Sequence, residues 1–86
     1  MATAAPWVEI VGEPELVARL QGALLGALAS RRRRYIVNVS PVGRVGEVLV
    51  AIDGPKGRLP VILGREDLEP GYVGGRVLEL VERFAL

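Results

Sequence analysis

The sequence predicts an α+β fold: a small antiparallel sheet with two helices packed on one face, in the order β-α-β-β-β-α. Three observations carry this. Residues 34–63 alternate apolar and polar side chains in three short runs separated by glycine-bearing turns; Leu16, Leu20, Leu24 and Leu28 recur every fourth residue; and Val73, Val77, Leu80, Val81 and Phe84 keep helical spacing near the end of the sequence. A period of two is the mark of a half-buried strand, and a period near 3.6 that of an amphipathic helix. At 86 residues the chain is read as one domain, 1–86, with a single core.

Met1–Ala5 is small and featureless and is expected to fray. Trp7–Val11 alternates briefly and is a candidate fourth strand, with Val8 and Ile10 facing one way. Gly12-Glu13-Pro14-Glu15 reads as a helix start, because proline suits the first helical position and the two carboxylates complement the positive end of the dipole. The helix should run from Pro14 to about Ser30, with the leucines, Val17, Ala23 and Ala27 as its apolar face. Ala18, Gly22 and Gly26 form a second row of small residues. Glycine inside a helix costs about 1 kcal/mol relative to alanine, so this row predicts a close approach of backbones, either of the helix onto the sheet or across a helix-to-helix dimer seam.

The meander follows. Tyr35, Val37 and Val39 share one face of the first run, Ile36, Asn38 and Ser40 the other. In Glu47–Asp53, Val48, Val50 and Ile52 oppose Leu49 and Ala51; in Arg58–Leu63, Leu59, Val61 and Leu63 oppose Pro60 and Ile62. Pro60 has no ladder donor, which places this last run at a sheet edge. Pro41–Gly46 and Gly54–Gly57 are short enough for hairpin connections. Gly64–Gly71 reads as a polar connector ending in a Pro70-Gly71 turn, with the last helix beginning between Tyr72 and Gly75 and running toward Phe84.

Chemistry is constrained by what is missing. There is no histidine and no cysteine, which removes the usual general base near neutral pH, the thiol nucleophile, the usual zinc ligands and any disulfide. Thr3, Ser30 and Ser40 are the only aliphatic hydroxyls and none sits in a nucleophile elbow. Glu66, Asp67 and Glu69 lack the spacing of a calcium loop, Gly54-Pro55-Lys56-Gly57 that of a phosphate loop, and Gly71, Gly74 and Gly75 that of a dinucleotide fingerprint. The expectation is a non-enzymatic protein with no metal and no cofactor. No apolar run approaches the roughly 20 residues of a membrane span, and no secretory signal is legible, so a cytoplasmic setting is expected. One asparagine, one glutamine and ten arginines against a single lysine fit a thermophilic source.

Two candidate sites remain. Residues 31–60 carry seven basic and two acidic groups, +5, while the segments on either side each sum to −2. Arg31, Arg32, Arg33 and Arg34, with Arg44, Lys56 and Arg58, are the candidate contacts for an anion or nucleic acid; for Arg31–Arg34 the plainer account is that cations favour a helix C-terminus. With both helices on one side of the meander, Ile36, Leu49, Ala51 and Ile62 would form an apolar face toward water, the candidate surface for a protein partner or a second copy. Half of the residues are hydrophobic, more than so small a body readily hides, so self-association through that face or the sheet edge is expected.

The order helix, three strands, helix resembles that of double-stranded RNA-binding domains, which would imply contact with phosphates from the start of the last helix. Those domains place a lysine cluster there, whereas this chain has Gly74-Gly75-Arg76 followed by acidic residues. Aromatics for base stacking are limited to Trp7, Tyr35, Tyr72 and Phe84. Leu63-Gly64-Arg65-Glu66-Asp67 after a strand, with an apolar helix ending in Arg83-Phe84, is similar to the late part of the periplasmic β domain of bacterial division proteins of the FtsQ/DivIB type. That similarity implies a scaffold that binds partners through a sheet edge.

Overall fold

A computed structural model describes residues 8–43 and 46–86, and the elements run β1 (Val8–Gly12), α1 (Pro14–Ala29), β2 (Tyr35–Pro41), β3 (Val48–Gly54), β4 (Gly57–Leu63), one turn of 3₁₀ helix (Arg65–Asp67) and α2 (Pro70–Arg83). The α+β order is the expected one. The expectations for Met1–Ala5, Trp7 and Arg44 fall outside the described residues.

The strands lie in the order β1-β2-β3-β4. β2, β3 and β4 form the antiparallel meander, but β1 pairs with β2 in parallel, Val8 opposite Tyr35 through Gly12 opposite Val39, so the sheet is mixed. The cause is α1, which carries the chain back to the starting end of the sheet before β2 begins, as any parallel pair requires. β4 is an edge strand, as Pro60 demands. A two-residue hairpin at Pro55-Lys56 closes on the pair Gly54 and Gly57. Counting alternate pairs from there puts Pro60, opposite Ala51, at a site whose nitrogen points away from the sheet. The missing donor therefore interrupts the open rim and costs no ladder bond.

The core lies between the sheet and the helices. Tyr35, Val37, Val39, Val48, Val50, Ile52, Val61 and Leu63 pack against Leu20, Leu24 and Leu28 of α1 and Val73, Val77, Leu80 and Val81 of α2. All these strand residues belong to one face, so the register of the meander sends a single apolar side toward the helices.

Both helices start with the same backbone geometry, although only Glu13 caps its helix through its side chain. Glu13 and Glu69 are the N-caps, at φ −66°, ψ 125° and φ −67°, ψ 126°, each followed by proline. The Glu13 carboxylate accepts from the Leu16 and Glu15 amides at 3.0 and 3.2 Å, satisfying two of the helix's unpaired donors. Glu69-Pro70 is thus a helix start, and the expected Pro70-Gly71 turn with a helix beginning at Tyr72 or later is corrected by it: proline at the first helical position gives the same local signal as proline in a turn.

The row Ala18, Gly22 and Gly26 is a second correction. These residues are exposed, and a Cβ added at either glycine would meet nothing within 4 Å, so the row does not seat the helix on the sheet. Leu20, Leu24 and Leu28 with Ala27 set the orientation of α1 and turn the small-residue row to solvent. The close approach is made by α2, where a Cβ at Gly74 would come within 3.3 Å of the Ala23 carbonyl oxygen. Alanine at both positions 22 and 26 is expected to stabilise the protein by about 2 kcal/mol in all. A thermal melt followed by circular dichroism should show a rise of about 10 °C, and a fall would mean that these glycines are covered.

Phe84 is the third. It leaves the helical apolar face and is exposed, because α2 ends one residue earlier and Ala85, at φ 56°, turns the chain back. Leu86 takes the place expected of Phe84 in the core: its amide donates to the Val81 carbonyl at 3.0 Å and the Ala85 amide to that of Glu82 at 3.2 Å, the two bonds of a Schellman turn.

Candidate functional site

The sheet face turned away from the helices is a grid set by the register. One row runs Glu9, Ile36, Asp53, Arg58; the next Val11, Asn38, Ala51, Pro60; the third Ser40, Leu49, Ile62. Neighbours along a row are close enough to shield one another. Ala51, between Asn38 and Pro60, is only 7% exposed, so it shapes this face without offering much contact area. Leu49 is half-buried, whereas Ile36 at 48% and Ile62 at 62% exposure stand clear. Of the four apolar residues expected to form a partner surface, two dominate it. Arg58 and Asp53 are paired across β3 and β4, with Nε 3.1 Å from Oδ1, both well exposed, so this link adds little stability and mainly neutralises one end of the grid.

The basic residues are not one patch. Arg31 is folded inward: Nε donates to the Tyr35 hydroxyl at 3.0 Å, Nη2 to the Leu86 backbone oxygen at 3.1 Å, and Nη1 lies 3.8 Å from Glu82. Arg33 Nη1 donates to the same Leu86 oxygen at 2.8 Å. Arg32, at φ 56°, and Arg34 are exposed, so alternate members of the run point inward and outward around the bend between α1 and β2. Arg34 borders a shallow hollow of about 290 Å³ with Ile36, Asp53, Gly54 and Pro55. The register places Lys56 and Arg58 at this same end of the sheet, both exposed. Arg44 lies outside the described residues.

Tyr35 is the residue that reading the sequence left without a task. Its ring is 1% exposed on the helix side of β2, and its hydroxyl donates to the Leu86 oxygen at 2.8 Å. The signal was available in principle, since a phenol on the buried side of a strand must find a hydrogen-bond partner. The partner lies 51 positions away, a separation that no local pattern reports.

A groove of about 400 Å³ also runs between the helices on their outer side, lined by Ala23, Ala27, Gly71, Gly74, Gly75 and Leu78 among others. Among the described residues no group of three or more acidic side chains is placed to hold a metal ion, and no helix is long and apolar enough to cross a membrane. Comparison with protein-family models, with curated proteins and with solved structures found no match for this chain.

Proposed function

We propose that this chain is a non-enzymatic assembly module that pairs with a second copy of itself through the open face of its sheet. The observation that carries this is the exposure of Ile36 and Ile62 on a regular sheet face whose central row, Val11, Asn38, Ala51 and Pro60, holds no charge. A face of this kind buries well against another sheet, at a spacing of about 10 Å.

A second copy suits the charge pattern. Glu9 on β1 and Arg58 on β4 stand at opposite ends of one row. A two-fold axis along the strands lays β1 over β4 and β2 over β3 of the other copy, bringing each Glu9 to an Arg58, each Val11 to a Pro60 and each Ile36 over the Asp53 that Arg58 neutralises. Pairing is then self-complementary, as a closed dimer requires. Rim-to-rim pairing along β4 is disfavoured by the outward nitrogen of Pro60, so the face is the better contact. Size-exclusion chromatography with light scattering at tens of micromolar tests the reading: a dimer supports it and a monomer overturns it.

A nucleic-acid-binding role for the segment 31–58 is the second reading, favoured by the gathering of Arg32, Arg34, Lys56 and Arg58 at one end of the molecule. A chain without cysteine suits a cytoplasmic setting for either role, and its scarce amides suit a thermophilic source.

A further inference from the structure

Two opposite charges line one cleft without meeting. The cleft lies where the start of α1 faces the junction of β2 and β3; its volume is about 310 Å³, and Glu13, Leu16, Arg19, Glu47, Val48 and Leu68 are among its walls. Among the described residues neither Arg19 nor Glu47 takes part in an ion pair or a side-chain hydrogen bond. Glu47 is half-buried, and a carboxylate drawn out of water with no partner is costly.

Each wall is fixed by something local. Leu16 and Arg19 are three residues apart on α1 and so share a side of the helix. The Val42 amide donates to the Glu47 carbonyl at 3.1 Å, which holds the Glu47 backbone beside the end of β2. Val48 and Leu68, 3% and 5% exposed, belong to the core and give the cleft an apolar floor. Glu13 is already engaged, because its two carboxylate oxygens accept the Glu15 and Leu16 amides at the positive end of the helix dipole. One anion, Glu47, and one cation, Arg19, are left to meet a ligand.

We propose that this cleft binds a free α-amino acid with an apolar side chain. Its ammonium meets Glu47, its carboxylate meets the fork of Arg19, and its side chain lies on Leu16, Val48 and Leu68. A guanidinium matches a carboxylate with two parallel hydrogen bonds, and an ammonium pairs with a carboxylate as a point charge. One zwitterion thus satisfies both charges of the cleft, which neither a fatty acid nor a simple amine can do. The volume lies at the low end of the roughly 300–1,000 Å³ of small-molecule sites, which suits a single amino acid and not a peptide. Val48 belongs to the helix side of the sheet, so the cleft is clear of the pairing face and the proposal does not depend on that face.

The test is calorimetric titration of the whole chain with leucine, alongside isocaproate and isoamylamine, which keep the leucine side chain and lose the ammonium or the carboxylate. Leucine should bind, and each single-charge probe should bind about tenfold more weakly. Arg19→Gln should remove the advantage of leucine over isoamylamine, and Glu47→Gln its advantage over isocaproate. Arg19 is exposed and Glu47 half-buried at the cleft, so the circular dichroism spectrum of each variant should match that of the native chain. Shifts of the Leu16, Val48 and Leu68 amide resonances on adding leucine place the ligand in the cleft. No heat and no shifts with millimolar leucine overturn the proposal, and so does leucine binding that is indifferent to both substitutions. Isoamylamine binding as tightly as leucine overturns it as well, identifying a site for cations alone.

Discussion

Replacing Gly12 with alanine is expected to remove a third or more of the stability of the fold. Gly12 closes β1 at φ 131°, and a Cβ there would lie 2.0 Å from the Val39 carbonyl oxygen and 2.8 Å from the Val39 nitrogen and carbonyl carbon. Those atoms are backbone of the adjacent strand, so no side-chain rotation relieves the clash. The same carbonyl accepts the Glu13 amide at 2.9 Å, so pushing the strands apart also breaks the entry to α1. Strain at a special backbone position together with a broken junction costs about 4 kcal/mol. A domain of this size has only about 4–13 kcal/mol to lose. Chemical denaturation should show Gly12→Ala unfolding at a much lower denaturant concentration, in contrast to the stabilisation expected from alanine at positions 22 and 26. A native midpoint would mean that β1 is not paired as described.

The double change Ile36→Lys and Ile62→Lys is expected to abolish pairing while leaving the subunit folded. Both side chains are about half exposed or more in the single chain, so neither contributes much to its core. In a face-to-face pair each occurs twice. Burying the exposed part of one isoleucine is worth about 1 kcal/mol, so the four together supply about 4 kcal/mol, roughly a thousandfold in the dissociation constant. The lysines bring four like charges into the contact as well. Light scattering should report a monomer with an unchanged circular dichroism spectrum. Persistence of the dimer would move the contact elsewhere, and the groove between α1 and α2 would be the next surface to alter.

Where the sequence could be read and where it could not follows from the range of the forces involved. Alternation in 35–40, 47–53 and 58–63 reports directly which side chains face the helices, because the pleat is a local property and one face is fully covered. Pro60 carried its meaning in a single residue. The parallel pairing of β1 was less visible, since five residues of alternating character look alike in either direction and only the crossover helix decides. Ala18, Gly22 and Gly26 misled because small residues at helical spacing suit a close contact and an open surface equally well, and the leucine stripe alone decides which side is buried. Of the candidate site, Ile36 and Ile62 were legible as exposed, whereas the inward turn of Arg31 and Arg33 was not. It depends on Leu86 returning from the far end of the sequence, and a run of four arginines looks the same whether or not half of it is used internally.

The direction of the Pro60 nitrogen limits how large an assembly of these sheets can become. Strand addition at the β4 margin is disfavoured by Pro60, and the opposite margin is β1. Two molecules joined at β1 would form an eight-stranded ribbon with a proline stop at each extremity. Growth by strand addition would then meet a missing donor at either end, which discourages open-ended stacking of strands by a chain half of whose residues are hydrophobic.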